Sequence, residues 1–289
     1  MDKNIFERFY FIQKELIMIF PHELSDIHLG LAHKPSCSGF VSLVGTGPGK
    51  IDLLTLKAYE LIKTSDIILY DKLVSDEIIG LISHRTKKIF VGKSKGKHSF
   101  IQKDINSMLV KLAYEGKTVV RLKGGDPFIF GRGGEEMLHL RKHKVPYQII
   151  PGVTAASGCS ASAEIPLTHR GLANSVQFVT GRVESGINKL SSFNQNNDSK
   201  TLVFYMGVDE CEYISSALIY QGFSNNTPTA IIERGTCEDE KIIITDLLNL
   251  PSCVSYHKPK SPSLVIIGKV VSLHSSKKEN IDMQSYSDL

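Results

Sequence analysis

The segment from Arg121 to Glu136 limits the possible folds more than any other part of the sequence. Five of its sixteen residues are glycine, and a glycine inside a helix costs about 1 kcal/mol relative to alanine, so this segment is not a helix interior. A β-branched run, Thr118 to Val120, precedes it, and Glu135 and Glu136 open a helical pattern, where the first turn favours negative charge. A strand, a glycine-rich loop and a helix in this order hold a ligand at the carboxyl end of a strand in an open α/β sheet.

The rest of the first half repeats this alternation and predicts an α/β fold with a largely parallel sheet. In the first half, strand-like and helix-like runs alternate as Phe40 to Val44, Leu53 to Lys63, Ile67 to Tyr70, Ser75 to Ile82, Lys88 to Val91, Ile101 to Tyr114 and Tyr147 to Ile150. In the second half, one helical stretch, Cys211 to Tyr220, accompanies strand-like runs at Val176 to Thr180, Leu202 to Met206, Thr229 to Ile232, Lys241 to Ile244 and Leu264 to Ile267.

A length of 289 residues suffices for two domains with buried cores. Pro151, Gly152 and the small residues that follow mark the predicted boundary. We therefore predict four parts: an N-terminal extension (1–38), an N-terminal α/β domain (39–151), a C-terminal α/β domain (152–274) and a polar tail (275–289).

The extension is predicted to be helical before Pro21, because apolar residues recur every three or four positions. These residues are Ile5, Phe9, Ile12, Leu16 and Ile19. Four basic against five acidic residues are unlike a basic transit peptide. Three interpretations stay open: a helix packed on its own protein or on a dimer mate, a processed leader, and a partner-binding element.

Charge and cysteine content exclude several classes of protein. The net charge of +4 is too small to indicate nucleic-acid binding on its own. The five cysteines are widely spaced and form no Cys-x-x-Cys pair, so neither a disulfide framework nor a zinc site is predicted. Cysteines of this kind indicate a reducing compartment, and no apolar run is long enough to span a membrane. We expect a cytoplasmic protein without a metal.

The first strand is followed by the turn Gly45 to Gly49, which does not match the motifs that bind nucleotide phosphates. Lys50 stands where the dinucleotide fingerprint requires glycine, and Pro48 lacks a backbone N–H. The alternatives are a tight turn and a loop that lets a ligand without phosphate approach the backbone. S-adenosylmethionine is such a ligand, and Gly124 to Asp126 could supply the N–H groups and the carboxylate that its amino-acid end needs.

Basic residues gather at the predicted strand ends, where they either are solvated or face a cleft that binds an acidic substrate. They are Lys93, Lys95, Lys97, His98, Arg121, Lys123, Arg132, His169 and Arg170. Asp71 follows the second strand. It is interpreted either as a turn residue or as a carboxylate able to take a proton.

These motifs together resemble those of the tetrapyrrole methylase family, and within it the uroporphyrinogen-III C-methyltransferases. The resemblance covers about four-fifths of the chain, from Val41 to Val271. The matching segments are Val44–Gly49, Tyr70–Ser75, Val91–Lys93, Gly96–Ser99, Arg121–Glu136, Pro151–Ala155, Pro166–Arg170 and Phe204–Gly207.

The resemblance implies a two-domain α/β fold with the active site between the domains, in a homodimer. It implies methyl transfer from S-adenosylmethionine to carbons 2 and 7 of uroporphyrinogen III, giving precorrin-2 for sirohaem or cobalamin. The implied cofactor contacts are Pro48, Gly124, Gly125, Asp126, Ile129, Thr154, Ala155, Met206 and Gly235. Asp71 matches the family's proposed proton acceptor, Lys93 its proposed donor and Arg132 an active-site arginine. The predicted substrate contacts are basic residues at the strand ends: Lys97, His98, Arg121, His169 and Arg170.

Two features depart from the family pattern: Lys50, where relatives commonly have an acid, and the extension itself. Other functions stay open at this point. They are methylation of a later corrin intermediate, methylation of RNA or protein, and a regulatory protein that binds the cofactor without turnover.

Overall fold

Two five-stranded sheets form the framework of the protein. The computed structural model describes residues 39–92, 100–182 and 199–275. The predicted extension and residues 276–289 of the predicted tail therefore lie outside the described residues. The mixture of sheets and helices confirms the predicted α/β class.

The first sheet is entirely parallel, with its strands in the order β3-β2-β4-β1-β5. Its strands are β1 (Phe40–Gly45), β2 (Ile67–Tyr70), β3 (Lys87–Phe90), β4 (Thr118–Lys123) and β5 (Tyr147–Ile150). The helices that accompany them are α1 (Leu56–Thr64), α2 (Asp76–Gly80), α3 (Gln102–Tyr114) and α4 (Gly133–Lys142).

Helices cover both faces of this sheet, because its strands carry apolar side chains on each side. On one face, Ala58 and Ile62 of α1 and Ile78 of α2 pack against the sheet. On the other face, Leu109 of α3 and Leu140 of α4 do so. The chain therefore leaves the neighbouring strands β1 and β4 towards opposite faces. Such a divergence opens a crevice at the carboxyl ends of the two strands, which is where open α/β sheets bind ligands.

Local signals explain where two of these helices begin. The hydroxyl of Thr55 accepts a hydrogen bond from the N–H of Ala58 (3.1 Å) at the start of α1. The carboxylate of Asp104 accepts one from the N–H of Ile101 (3.2 Å) at the start of α3.

The second sheet is mixed, with the order β6-β7-β10-β8-β9. Strand β6 is parallel to β7, and the remaining pairs are antiparallel. The strands are β6 (Ser175–Thr180), β7 (Lys200–Tyr205), β8 (Pro228–Glu233), β9 (Lys241–Asp246) and β10 (Ser263–Ile267).

Helix α5 (Ala155–Ser162) packs on one face of the second sheet, and α6 (Cys211–Tyr220) and α7 (Leu250–His257) pack on the other. Helix α6 has the predicted bounds, whereas α7 was not predicted. In the described part of the chain, every helix is too short or too polar to cross a membrane.

Candidate active site

The loops that follow β1, β4 and β5 meet at the carboxyl edge of the first sheet. Gly47 and Gly125 exchange two backbone hydrogen bonds, at 3.2 and 2.6 Å. The N–H and the hydroxyl of Thr46 both donate to the carbonyl oxygen of Lys123, at 2.9 and 3.1 Å. These bonds join the two loops at the crevice that the strand order creates.

Glycine is required here because backbone packs directly on backbone. A methyl group on Gly45 would lie 2.6 Å from the nitrogen of Gly152 and 2.7 Å from the carbonyl oxygen of Gly125. Gly47 and Gly125 also have φ values of +75° and +67°, in the left-handed region that side chains disfavour. Next to Gly125 a methyl group would find space, since its nearest neighbour would be the nitrogen of Ala155, 3.7 Å away.

Asp126 holds the loops after β4 and β5 together. One carboxylate oxygen accepts a hydrogen bond from the N–H of Phe128 (2.8 Å) and the other from the N–H of Gly152 (3.1 Å). The N–H of Ile129 donates to the carbonyl oxygen of Asp126 at 3.3 Å. Each carboxylate oxygen thus has one bond in the described structure and keeps acceptor capacity for a ligand.

Tyr205, at the end of β7, links the second sheet to the start of α5. Its hydroxyl lies 2.6 Å from the hydroxyl of Thr154 and accepts a hydrogen bond from the N–H of Ala156 (3.0 Å). Its ring packs against Phe130, with centroids 4.8 Å apart. Burial raises the pKa of Tyr205, so the phenol stays protonated. Tyr205 lies in the matching segment Phe204–Gly207, but of that segment only Met206 was predicted to contact the cofactor.

The remaining predicted cofactor residues lie around the same helix. Pro48 packs against Gly158 of α5, and Gly235 packs against Cys159 of α5. Met206 directly follows Tyr205 and is exposed.

The turn that contains Asp71 lies over the loop after β4, since a methyl group on Gly124 would lie 2.7 Å from Cβ of Leu73. All nine predicted cofactor residues lie around α5 and the loops that follow β1, β4 and β5, which we call the glycine loops. Their contacts with a cofactor stay a prediction.

Asp71 makes the predicted turn interaction and also an ion pair with Arg121, and its role as a proton acceptor stays a prediction. Its Oδ1 accepts the N–H of Leu73 (3.0 Å), which is a turn interaction. Its Oδ2 accepts a hydrogen bond from Nη2 of Arg121 at 2.7 Å, and the Asp71 side chain is 23% exposed. The carboxylate is thus oriented by the protein and still reaches the surface.

Arg121 is almost completely buried, and its guanidinium bonds to Asp71 and to groups inside the protein. Its predicted contact with a substrate carboxylate stays a prediction. Of the two paired side chains, Asp71 is the more exposed.

Glu136 and Lys123 complete a buried charged cluster with Arg121 and Asp71. Oε1 of Glu136 accepts hydrogen bonds from Nζ of Lys123 (3.0 Å), Nε of Arg121 (3.3 Å) and Nε2 of Gln102 (3.1 Å). Burial lowers the pKa of Lys123, the charge of Arg121 lowers it further, and Glu136 opposes both effects. The sequence had indicated for Glu136 only a favourable place in a first helical turn.

Arg132 lies just before α4 and forms a bidentate ion pair with Glu135. Its Nε and Nη2 each donate to a carboxylate oxygen at 2.7 Å, and more than half of the Arg132 side chain is exposed. This hydrogen bonding raises the pKa of Arg132 and lowers that of Glu135. Glu135 therefore orients the Arg132 guanidinium at the surface, two residues after Phe130.

Of the other predicted basic residues, His169 and Arg170 can be located, and they are not part of this arrangement. Lys93, Lys97 and His98 lie outside the described residues. His169 and Arg170 lie in an exposed turn after α5, closed by backbone hydrogen bonds between His169 and Ala173. Among the described residues, no group of three or more His, Cys, Asp or Glu side chains is arranged to hold a metal ion.

Comparison with known proteins decides the family. Residues 41–251 match the family model of Tetrapyrrole (Corrin/Porphyrin) Methylases. The chain belongs to the tetrapyrrole methylases. A siroheme synthase of Pseudomonas putida (strain W619) is 48% identical over 235 residues, which are 81% of this chain and 51% of that relative. This methylase chain thus spans about half the length of the curated relatives it matches.

Solved structures of other tetrapyrrole methylases have the same fold. A uroporphyrin-III C-methyl transferase from Thermus thermophilus, complexed with S-adenyl homocysteine, is 36% identical, with a TM-score of 0.68 over 84% of this chain and 98% of that chain. A cobalt precorrin-4 methyltransferase is 25% identical, with a TM-score of 0.71 over 80% of this chain and 95% of that one.

Proposed function

We propose that this methylase transfers methyl groups from S-adenosylmethionine to carbons 2 and 7 of uroporphyrinogen III. The products are precorrin-2, formed through precorrin-1, and S-adenosylhomocysteine, in sirohaem or cobalamin biosynthesis. The observation that carries the proposal is the backbone cradle of Gly45, Gly47, Gly125 and Gly152 beside the oriented carboxylate of Asp71. The Thermus thermophilus enzyme, whose structure holds S-adenyl homocysteine, supports it.

The residues of the cradle fit this cofactor. The space beside Gly125 lets a ligand approach the backbone, and the start of α5, at Thr154 and Ala155, offers N–H groups to a carboxylate. Asp126 has acceptor capacity for an ammonium group, and Met206 is an exposed apolar side chain. The bound cofactor supplies an electrophilic methyl group on a sulfonium centre.

The protein's own residues orient the reactants and neutralise the positive charge that methylation leaves on the pyrrole ring. Methylation of a pyrrole carbon leaves the ring with a positive charge and one proton to lose. The fixed carboxylate of Asp71 can stabilise that charge or accept the proton, and the resemblance assigns proton donation to Lys93. Holding two partners in line contributes most of the acceleration in such a displacement. Exposed Arg132 provides a guanidinium for a substrate carboxylate.

The test is an anaerobic incubation of the purified chain with enzymatically generated uroporphyrinogen III and S-adenosylmethionine, followed by absorbance and mass. We expect a gain of two methyl groups. No methylated product, although S-adenosylhomocysteine binds, would contradict the proposal and favour a later corrin substrate or the regulatory function.

A later corrin substrate is the second candidate, favoured by the higher TM-score of the cobalt precorrin-4 methyltransferase, 0.71 against 0.68. Sequence identity points the other way, at 25% against 36%. Identity carries more weight here, because all members of the family share the fold and differ in the residues that contact substrate. A competition between uroporphyrinogen III and a precorrin-4 substrate separates the two functions.

The proposal also includes a homodimer, a cytoplasmic location and the division of the chain at residues 38, 151 and 274. The resemblance supports the first, the cysteine pattern the second, and the two sheets agree with a boundary near 151. Light scattering of the full chain tests the dimer, and limited proteolysis tests the boundaries.

A further inference from the structure

Glu136 has no role in the reaction proposed above, yet its carboxylate has an unusual environment. Its side chain is fully buried in the first turn of α4. Oε1 collects three hydrogen bonds, whereas Oε2 is buried and has no partner among the described residues. A buried carboxylate oxygen without a partner destabilises the folded protein.

Stability therefore does not account for this arrangement. Removing charges from water costs more than a buried ion pair regains unless the geometry is excellent, and apolar replacements are often neutral or stabilising. The cluster contains two cations, Arg121 and Lys123, and two anions, Glu136 and Asp71. Its one member with an appreciable exposed surface is Asp71, at 23%. The buried ion pairs of Glu136, Lys123 and Arg121 thus connect, through Arg121, to the one carboxylate of the cluster that reaches the surface.

Arg121 connects the two anions. Nε donates to Glu136 at 3.3 Å, Nη1 donates to the carbonyl oxygen of Leu122 at 2.8 Å, and Nη2 donates to Asp71 at 2.7 Å. Because a guanidinium is a rigid planar fork, fixing two of its nitrogens fixes the position of the third. Glu136 and Leu122 together therefore determine where Nη2 meets Asp71.

We propose that Glu136 is a positioning residue, which holds Arg121 and through it sets the place of the Asp71 carboxylate at the carboxyl edge of the first sheet. This inference rests on the proposed function for its effect on turnover. Its structural part is independent of that function, since the link from Glu136 to Asp71 exists whatever the substrate is.

A double-mutant cycle on kcat tests the effect on turnover. Glu136→Gln should lower kcat by about 10- to 100-fold, the size of effect that a small misplacement of a reacting group produces. The KM for S-adenosylmethionine and the affinity for S-adenosylhomocysteine should stay within about 2-fold, because the glycine cradle is untouched. In an Asp71→Asn background, the same change should lower kcat by less than about 3-fold, since Glu136 acts through Asp71.

Two control variants separate positioning from general damage. Ile214 lies in the core on one face of the second sheet, so Ile214→Val should lower the stability of the protein without changing the charged cluster. Glu60→Gln removes a carboxylate from an exposed ion pair with Lys57. Both should keep the wild-type kcat when measured well below their unfolding temperatures. If Glu136→Gln behaves like these controls, or lowers kcat equally in both backgrounds, the inference is wrong.

Crystal structures of wild type and Glu136→Gln test directly whether Glu136 positions Asp71. They do so even if the wild type methylates no tetrapyrrole, a result that would refute the proposed function but not this inference. We expect the bond between Nη2 of Arg121 and Oδ2 of Asp71 to be lost, and its retention would overturn the inference. If Glu136→Gln does not fold, Lys123→Met combined with Glu136→Gln restores the charge balance, and the same measurements and outcomes apply to it.

Discussion

Replacing Gly152 by alanine should disrupt the junction of the three glycine loops. The added methyl group would overlap the carbonyl oxygen of Gly125 and lie 2.8 Å from the carbonyl carbon of Gly45. Favourable contact needs about 3.5 Å or more. Both obstacles are backbone, so neither can rotate away. The φ angle of Gly152 is not in the left-handed region, and the clash alone sets the cost.

Overpacking of this kind costs about 1–3 kcal/mol. The hydrogen bond from the N–H of Gly152 to Asp126, at 3.1 Å, adds about 1 kcal/mol if the loops separate. For a chain of this size we expect the unfolding temperature to fall by about 2–4 °C for each kcal/mol. Affinity for S-adenosylhomocysteine should fall as well, because the cradle that we propose as its site opens.

Gly80→Ala is the matched control. A methyl group at Gly80, the last residue of α2, meets no atom within 4 Å. The change should stabilise the protein by about 0.5–1 kcal/mol, since alanine favours the helix and restricts the unfolded chain. Urea unfolding and titration calorimetry measure both variants. If Gly152→Ala unfolds within about 0.5 kcal/mol of wild type and binds with unchanged affinity, the loops do not pack as described.

Three further changes probe other parts of the site. Tyr205→Phe should lower the free energy of unfolding in urea by about 1–3 kcal/mol, because Thr154 and the start of α5 lose their hydrogen-bond partner. The control is Tyr220→Phe, at a side chain that is 90% exposed, and it should change the free energy of unfolding by less than about 0.5 kcal/mol. Equal effects of the two changes would contradict the role of the buried hydroxyl. Arg132→Ala should lower methylation by about 100-fold with an unchanged melting curve, because exposed ion pairs contribute little stability; near-wild-type activity would refute its role. Burial raises the pKa of Cys159 to about 12, so iodoacetamide should modify this thiol at pH 8 only after unfolding. Because the pKa of the Cys159 thiol is higher in the folded than in the unfolded chain, the protonated thiol stabilises the fold below about pH 9, and this contribution is lost as the pH rises towards 12. Alkylation of the native thiol at pH 8 would show that Cys159 is not buried.

The fold was predictable where apolar runs end at clear breakers. Strands β2 and β5 have the predicted bounds, because Asp66 and Asp71 enclose the first and Pro146 and Pro151 the second. Helix α7 was missed because Leu250–His257 has a proline near its start and is rich in weak helix formers.

The start of α3 shows how little a capping pattern specifies. The sequence predicts a helix from Ile101 to Tyr114, and Ser99 and Gln102 before and within it have the spacing of a capping box. The helix begins instead at Gln102, and the carboxylate of Asp104 accepts the N–H of Ile101. Both pairs have the spacing that the pattern requires. Ser99 lies outside the described residues, so a cap from its hydroxyl stays a prediction.

The glycine loops and Asp71 were predictable as members of one site, because each follows a strand of a parallel sheet. The partner of Asp71 was not, since Arg121 is fifty residues away and reaches it only because β2 pairs with β4. No periodicity specifies that pairing. The burial of Glu136 was missed for a related reason: an acid in the first turn of a helix is favourable at the surface too, so the sequence does not distinguish the two environments.

The pairing of Gly47 with Gly125 has a consequence for changing what this protein methylates. A surface made of peptide groups has no side chain to exchange, so libraries aimed at the cradle would yield mostly misfolded chains. The exposed rings of Phe128 and Phe130 stand in the same loop as Arg132 and can be varied without touching those hydrogen bonds. Under the proposed function, altered macrocycle preference should therefore be sought at the two phenylalanines, with the glycine cradle kept constant.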